Sequence, residues 1–235
     1  LAARDFEHAV ALYEQVITVD PAYAEAHYKR ANALRIIGRL EEALAGYDRA
    51  IALKADYAHA YCNRGVVLQS LGRREAALLS YERTIALEST DVMAHYNRAL
   101  LMQDCARWDE AMRSYDRAIE LNPQFADAQY NRAMLQLFLG DFERGWRGYE
   151  WRWLNAQRLG IGAVRTFDEP RWLGEEPIAG KRILLYSEAG LGDTLQFCRY
   201  ASLCGRLGAT VILEVPKVLC RLLGSLDGVS QVIET

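Results

Sequence analysis

Ala43-Leu44 … Tyr47-Asp48-Arg49-Ala50-Ile51-Ala52-Leu53 recurs as Ala77-Leu78 … Tyr81-Glu82-Arg83-Thr84-Ile85-Ala86-Leu87, and again as Ala111-Met112 … Tyr115-Asp116-Arg117-Ala118-Ile119-Glu120-Leu121, each step being 34 residues. A second motif keeps the same register: Tyr28-Lys29-Arg30-Ala31, Cys62-Asn63-Arg64-Gly65, Tyr96-Asn97-Arg98-Ala99 and Tyr130-Asn131-Arg132-Ala133. Within each copy the apolar and small residues fall at helical spacing, as in Ala43, Tyr47, Ala50 and Ile51. Each unit therefore holds two helices. Small residues at Ala31, Gly65, Ala99 and Ala133 let the paired helices approach closely, and the tyrosines fill the space to the neighbour. Gly38, Gly72 and Gly140 suit the left-handed position that ends the first helix. Units of this length cannot bury an apolar face alone, so they stack.

The pattern resembles the tetratricopeptide repeat, with its small residue early in helix A, a glycine near the turn, Ala and Tyr in helix B and a closing proline. Pro21 and Pro123 hold that closing place, whereas Ala55 and Ser89 replace it in between. The resemblance implies an α-solenoid over residues 1–154. It divides into a partial unit at 1–23, units at 24–57, 58–91 and 92–125, and a divergent unit at 126–154. The partial first unit implies that the array continues upstream.

In that family the A helices line an inner groove that takes a protein or an extended peptide. Carried over by register, the groove residues are Tyr28, Asn32, Asn63, Tyr96, Asn97, Tyr130 and Asn131, flanked by Lys29, Cys62, Val66, Leu100 and Met134. Asn63, Asn97 and Asn131 share one position, and a side-chain amide both donates and accepts. A clamp every repeat, about 10 Å, would meet an extended chain about every three residues. The ladder resembles the one lining the repeats of O-linked N-acetylglucosamine transferases. The alternative is a hydrogen bond between repeats that holds the solenoid. The repeat sets that grip chaperone C-terminal carboxylates need basic residues where this chain has Tyr28, Met93 and Asn97, so that ligand is not expected. Arg30, Arg64, Arg98 and Arg132 recur with Asp48, Glu82, Asp116 and Glu150, and structural ion pairing is the expectation. His27, His59 and His95 lack a second ligand at i+4, so no metal is expected.

After residue 154 the period changes. Gly145-Trp146-Arg147-Gly148-Tyr149-Glu150-Trp151-Arg152-Trp153, with Trp172 beyond it, predicts an aromatic cap on the solenoid end. Residues 155–180, rich in Gly and Pro, are read as a linker. Arg182–Tyr186, Thr210–Val215 and Val229–Ile233 are apolar strand signals, with helical patterning at 193–207 and 216–223. This order predicts a small α/β Rossmann-like partial domain with a parallel sheet over 181–235. Its exposed faces and edges make a second copy of the chain a candidate partner.

Glu188-Ala189-Gly190-Leu191-Gly192-Asp193-Thr194 follows the first strand, where glycines admit an anion to a helix N-terminus. Leu195 replaces the third glycine of a dinucleotide fingerprint, and no Gly-Lys-Ser/Thr element exists, which disfavours nicotinamide, flavin and triphosphate enzymes. Gly190-x-Gly192-Asp193-Thr194-Leu195, the later Gly228-Val229 and the preceding Pro170-Arg171-Trp172-Leu173-Gly174 resemble the N-terminal portion of heptosyltransferase-like GT-B glycosyltransferases, which in bacteria also occur fused to tetratricopeptide repeats. That resemblance implies Asp193 as general base and Gly190, Gly192 and Thr194 as a phosphate or substrate loop. It implies a nucleotide sugar as donor in the full enzyme, with no cofactor held by this chain. Because the donor-binding half is missing, this chain is expected to be an inactive fragment. The alternative for Asp193 is a helix cap. The alternative for the whole chain is a non-catalytic adaptor with a Rossmann-like cap.

Composition sets the outer bounds. Hydrophobic residues make up 51% and charged residues 25% of 235 residues, which is globular rather than disordered. A formal charge of −3 without a basic block argues against nucleic acid, and no apolar run reaches membrane-span length. Five scattered cysteines and no visible export segment predict a reducing, cytoplasmic setting.

Overall fold

Helices form wherever the 34-residue register places an apolar stripe. The computed structural model describes residues 2–155, 165, 167–188 and 190–235, which form two compact units, Leu1–Leu154 and Asn155–Thr235. The first unit runs α1 (Ala2–Val19), α2 (Ala24–Ile36), α3 (Leu40–Leu53), α4 (Ala58–Ser70), α5 (Arg74–Leu87), α6 (Val92–Asp104), α7 (Trp108–Leu121), α8 (Ala126–Phe138) and α9 (Phe142–Tyr149), then a 3-10 turn at Glu150–Asn155. By register α2, α4, α6 and α8 are A helices, and α1, α3, α5, α7 and α9 are B helices. Each A helix packs on its own B helix and on the B helix before it, which makes an α-solenoid.

Its core is a repeated side-chain set rather than a single centre. Tyr47, Tyr81 and Tyr115 are fully buried, each 16 positions after the small residue of the preceding A helix: Ala31, Gly65 and Ala99. At Gly65 the fit is tight, because a Cβ there would stand 2.5 Å from Tyr81 Cε1.

The A-to-B turns also repeat. Gly38, Gly72 and Gly140 have φ of 81°, 75° and 87°, and the next-to-last place of the series falls on Ala106, with φ 56°. The peptide N–H of Ala106 donates to the Gln103 carbonyl and that of Arg107 to the Met102 carbonyl, the same two bonds made at Gly38. Ala106 thus accepts a conformation that costs an L-residue about 1 kcal/mol, and the sequence reading passed over it because the glycine is absent.

The second unit holds β1 (Arg182–Tyr186), α10 (Leu191–Phe197), α11 (Arg199–Arg206), β2 (Thr210–Val215), α12 (Lys217–Leu223) and β3 (Val229–Glu234). The three strands are parallel in the order β1-β2-β3, with an irregularity between Val211 and Ile212. The helix expected at 193–207 begins at Leu191 and is interrupted only at Cys198, whose own torsions are helical. Central β2 carries the core, with Val211, Leu213 and Val215 buried, while β1 and β3 are half-exposed edges.

The stretch read as a linker, 155–180, contributes to this unit. Residues 156–164 and 166 lie outside the described residues. Beyond them, Ile178 is buried and Trp172 packs with it against Ala201, Cys204 and Val211. Arg165 Nη1 meets the buried Glu214 carboxylate at 2.5 Å, and Phe167 lies on Tyr186. Trp172 therefore serves the core of the sheet unit. Trp153 Nε1 donates to Glu150 Oε2 at 2.9 Å, and the buried Arg152 guanidinium stacks between Tyr149 and Trp153. Glu150 thus serves the divergent last turn and is not part of the arginine row.

Candidate peptide groove and glycine loop

Along the solenoid α2 touches α4 and α4 touches α6, so successive A helices face one another. Their shared face brings the predicted groove residues together. Asn63 Nδ2 donates to Tyr28 Oη at 3.0 Å and to Asn32 Oδ1 at 2.9 Å, and Asn131 Nδ2 donates to Tyr96 Oη at 2.8 Å. At the intervening step the partner is a thiol, Asn97 Nδ2 lying 3.9 Å from Cys62 Sγ. Each amide thus reaches 35 residues back, into the preceding repeat. Tyr130 packs on Tyr149, continuing the aromatic row into the last unit.

Asn63 spends both of its N–H groups inside the solenoid, which leaves its carbonyl oxygen to accept from elsewhere. The half-exposed Asn97, with a long contact to sulfur, is the least committed member of the row. Asn32 is the hub of the first step, since Oδ1 also accepts from Tyr47 Oη at 2.7 Å. Burial pushes the Tyr47 hydroxyl up to about 12 and so keeps it a donor.

A cleft of about 380 Å³ opens on this face between Tyr28, Asn63, His59, Asp91, Val92 and Met93. Cys62 also lines it, and burial, with the negative Asp91 nearby, pushes its thiol up to about 12. Cys62 is therefore an uncharged wall.

The arginine row behind this face is structural. Arg30 binds Glu14 at 2.6 Å, Arg64 binds Asp48 at 2.6 Å and Arg132 binds Asp116 at 2.8 Å, always a carboxylate 16 residues earlier on the preceding B helix. The row therefore begins at Glu14. Glu82 is not the partner of Arg98, which turns to Ser114 Oγ at 2.6 Å and Glu110 at 3.3 Å on its own B helix. Arg64 does both, adding Ser80 Oγ at 2.8 Å. These partly exposed pairs each contribute about 0–1 kcal/mol and chiefly fix the angle between repeats.

The histidines divide in two. His27 Nε2 lies 3.1 Å from the Pro21 carbonyl, and His95 Nε2 lies 3.1 Å from the Ser89 carbonyl, so both tie an A helix to the loop before it. His59 stands two residues out of that register and faces the solvent. Its Nδ1 is 4.0 Å from Asp91 Oδ2. Glu88 joins them, so the missing i+4 ligand does not exclude a metal here: the other ligands arrive from different elements.

In the second unit Gly190 is the N-cap of α10 with φ −66°, and Asp193 follows inside the first helical turn. The cap is backbone only, so the capping alternative for Asp193 gives way to a carboxylate in the first turn, where it favours the helix dipole. Asp193 is exposed, Thr194 Oγ1 donates to the Gly190 carbonyl at 3.1 Å, and a Cβ at Gly192 would meet open space. Ala189 of this loop lies outside the described residues.

Among the described residues no helix is long and apolar enough to cross a membrane. No curated protein matches the chain in sequence. Among solved structures, MamA superposes with a TM-score of 0.60 at 22% identity over 66% of this chain and 91% of its own. PilW, titled a widely conserved type IV pilus biogenesis factor, gives 0.59 at 19% identity over 68% and 73%. YrrB, titled a TPR protein with an unusual peptide-binding site, gives 0.53 at 22% identity over 64% and 77%. At such identities the likeness concerns the fold. Family models match in sequence: one described as TPR repeat at residues 5–35, 31–72 and 106–140, and one described as tetratricopeptide repeat at 58–91. These stretches together take in more than half of the 235 residues, and the chain belongs to the tetratricopeptide repeat family.

Proposed function

We propose that the chain is a protein-interaction scaffold whose A-helix face holds an extended peptide. The observation that carries this reading is the row of partly exposed asparagines, one per repeat, beside an open cleft on the face where A helices meet. The amide oxygens would accept N–H groups of the peptide backbone, while Tyr28 and Tyr96 hold Asn63 and Asn131 in register. YrrB, described as a TPR protein with an unusual peptide-binding site, shares the fold.

The test begins with peptides selected on the immobilised chain from a random library. Asn97→Ala is then expected to weaken a selected peptide about fivefold, the worth of one hydrogen bond, with helicity and Tm unchanged. Asn63→Ala, which strips two bonds between repeats, lowers binding and stability together. Equal binding by Asn97→Ala and wild type would remove the amide row from recognition.

A finer reading assigns residues 181–235 to the start of a GT-B glycosyltransferase, with a nucleotide sugar as donor in the parent protein. The parallel β1-β2-β3 order and the open space above Gly192 beside Asp193 favour it. In the parent protein Asp193→Asn would then abolish sugar transfer and leave donor binding nearly intact, as measured by turnover and by calorimetry. Normal turnover would dismiss Asp193 as the base, whereas no sugar transfer by the wild-type parent protein would favour the adaptor reading.

A further inference from the structure

We infer that His59, Glu88 and Asp91 form a binding site for a divalent transition-metal ion of the zinc type. His59 lies in the first turn of α4, Glu88 directly follows α5, and Asp91 is the N-cap of α6, so the solenoid brings together three groups from three elements. Their ligand atoms all lie within 4.8 Å of one another. A zinc ion with bonds of about 2.0–2.2 Å holds its tetrahedral ligands about 3.4 Å apart, so closure asks for shifts of about 1–1.5 Å. The exposed His59 and Glu88 can supply that movement.

Asp91 supplies the fixed point. Its side chain is only 10% exposed, Oδ1 accepts the Ala94 peptide N–H at 2.8 Å, and this leaves Oδ2 aimed at His59. Two carboxylates held this close repel each other, and a divalent cation between them offsets that charge. One imidazole and two carboxylates form a borderline donor set suited to zinc, cobalt or nickel rather than to calcium or magnesium. Three protein ligands leave a fourth position, which opens into the cleft lined by Tyr28, Asn63 and Met93.

The position of His59 separates it from its neighbours on the other A helices. His27 and His95 are bound to loop carbonyls, whereas His59 is displaced from that register and its side chain is 65% exposed. The inference is independent of the peptide reading, since its ligand is the ion alone.

The test is calorimetric titration of the reduced chain with zinc chloride. One saturable site is expected. His59→Gln, Glu88→Gln and Asp91→Asn should each weaken it about tenfold or more, because even groups outside a coordination shell change metal affinity by that much. Asparagine keeps a capping oxygen, and His59→Gln touches no cap, so far-UV circular dichroism should remain that of wild type. His8→Gln and Cys105→Ser, at exposed positions away from the cluster, should leave the affinity unchanged. Absence of saturable binding to the wild-type chain, or unchanged affinity in His59→Gln, overturns the assignment.

Discussion

Tyr81→Ala is expected to cost about 3–5 kcal/mol, the range for deleting a fully buried aromatic ring. Tyr81 has no exposed surface, its ring lies directly over Gly65, and its hydroxyl donates to Gln69 Oε1 at 3.0 Å. Desolvation raises its hydroxyl pKa well above the usual tyrosine range, so the group is a neutral donor at neutral pH. Because Gly65 offers no side chain to fall into the void, the cavity would persist rather than collapse. In a solenoid each repeat is coupled only to its neighbours, so hydrogen-exchange protection should fall first in α4 and α5 and last in α8 and α9. Tyr81→Phe keeps the ring and loses one hydrogen bond, about 1 kcal/mol. A uniform loss of protection over all helices would show that the array unfolds as one body.

The second large effect lies in the sheet unit. Gly205→Ala puts a Cβ 2.4 Å from the Gly228 carbonyl oxygen and 2.7 Å from the Gly228 Cα. Both contacts are backbone, so no side chain can swing away, and Gly228 itself is held at φ 81°. A cost of about 3 kcal/mol follows from overpacking of this kind. A unit of three strands has little stability beyond that, so the parallel sheet should open while the helical repeats persist. Hydrogen exchange read by mass spectrometry separates the two outcomes. Peptides covering Thr210–Val215 should exchange freely, and those covering Ala24–Tyr149 should match wild type. Full protection of β2 in the variant would mean that α11 shifts away from the Gly228 turn without loss of the sheet.

The repeat was legible because every copy buries the same kinds of atoms against its neighbours. The positions of Ala31, Gly65, Ala99 and Ala133, and of the tyrosines 16 positions after them, could be read from spacing alone. The direction of the polar links could not. Arg64 recurs beside an acid in each unit, yet a one-dimensional register does not say whether that acid is taken from the same repeat or the previous one. The helices show that it is the previous one, except at Arg98, where Ser114 and Glu110 are the partners. The amides lie on the face that successive A helices share, but the sequence did not reveal how much of their capacity the neighbouring tyrosines take up.

His59 was judged along its own helix, and the groups beside it come from a loop 29–32 residues further on. The segment before β1 misled through composition. Its glycines and prolines describe a chain that turns often, whereas Trp172 and Ile178 decide that it turns within a core. Gly205 gave no signal at all, since only the approach of Gly228 in space makes that glycine necessary.

The spacing of the polar links makes the repeats interchangeable parts. Excising residues 58–91 would bring Arg98 opposite Asp48, where Arg64 had been, and would bring Asn97 opposite Tyr28. An arginine would still meet a carboxylate and an amide would still meet a phenol, at the same offsets of 16 and 35 residues. Duplicating the unit would keep an acid, Glu82, 16 residues before the copied Arg64, but it would set the copied Asn63 opposite Cys62, the thiol that Asn97 already meets. The array can therefore lose this unit without leaving a mismatched joint, which is a property of its bonding grammar rather than of any one side chain.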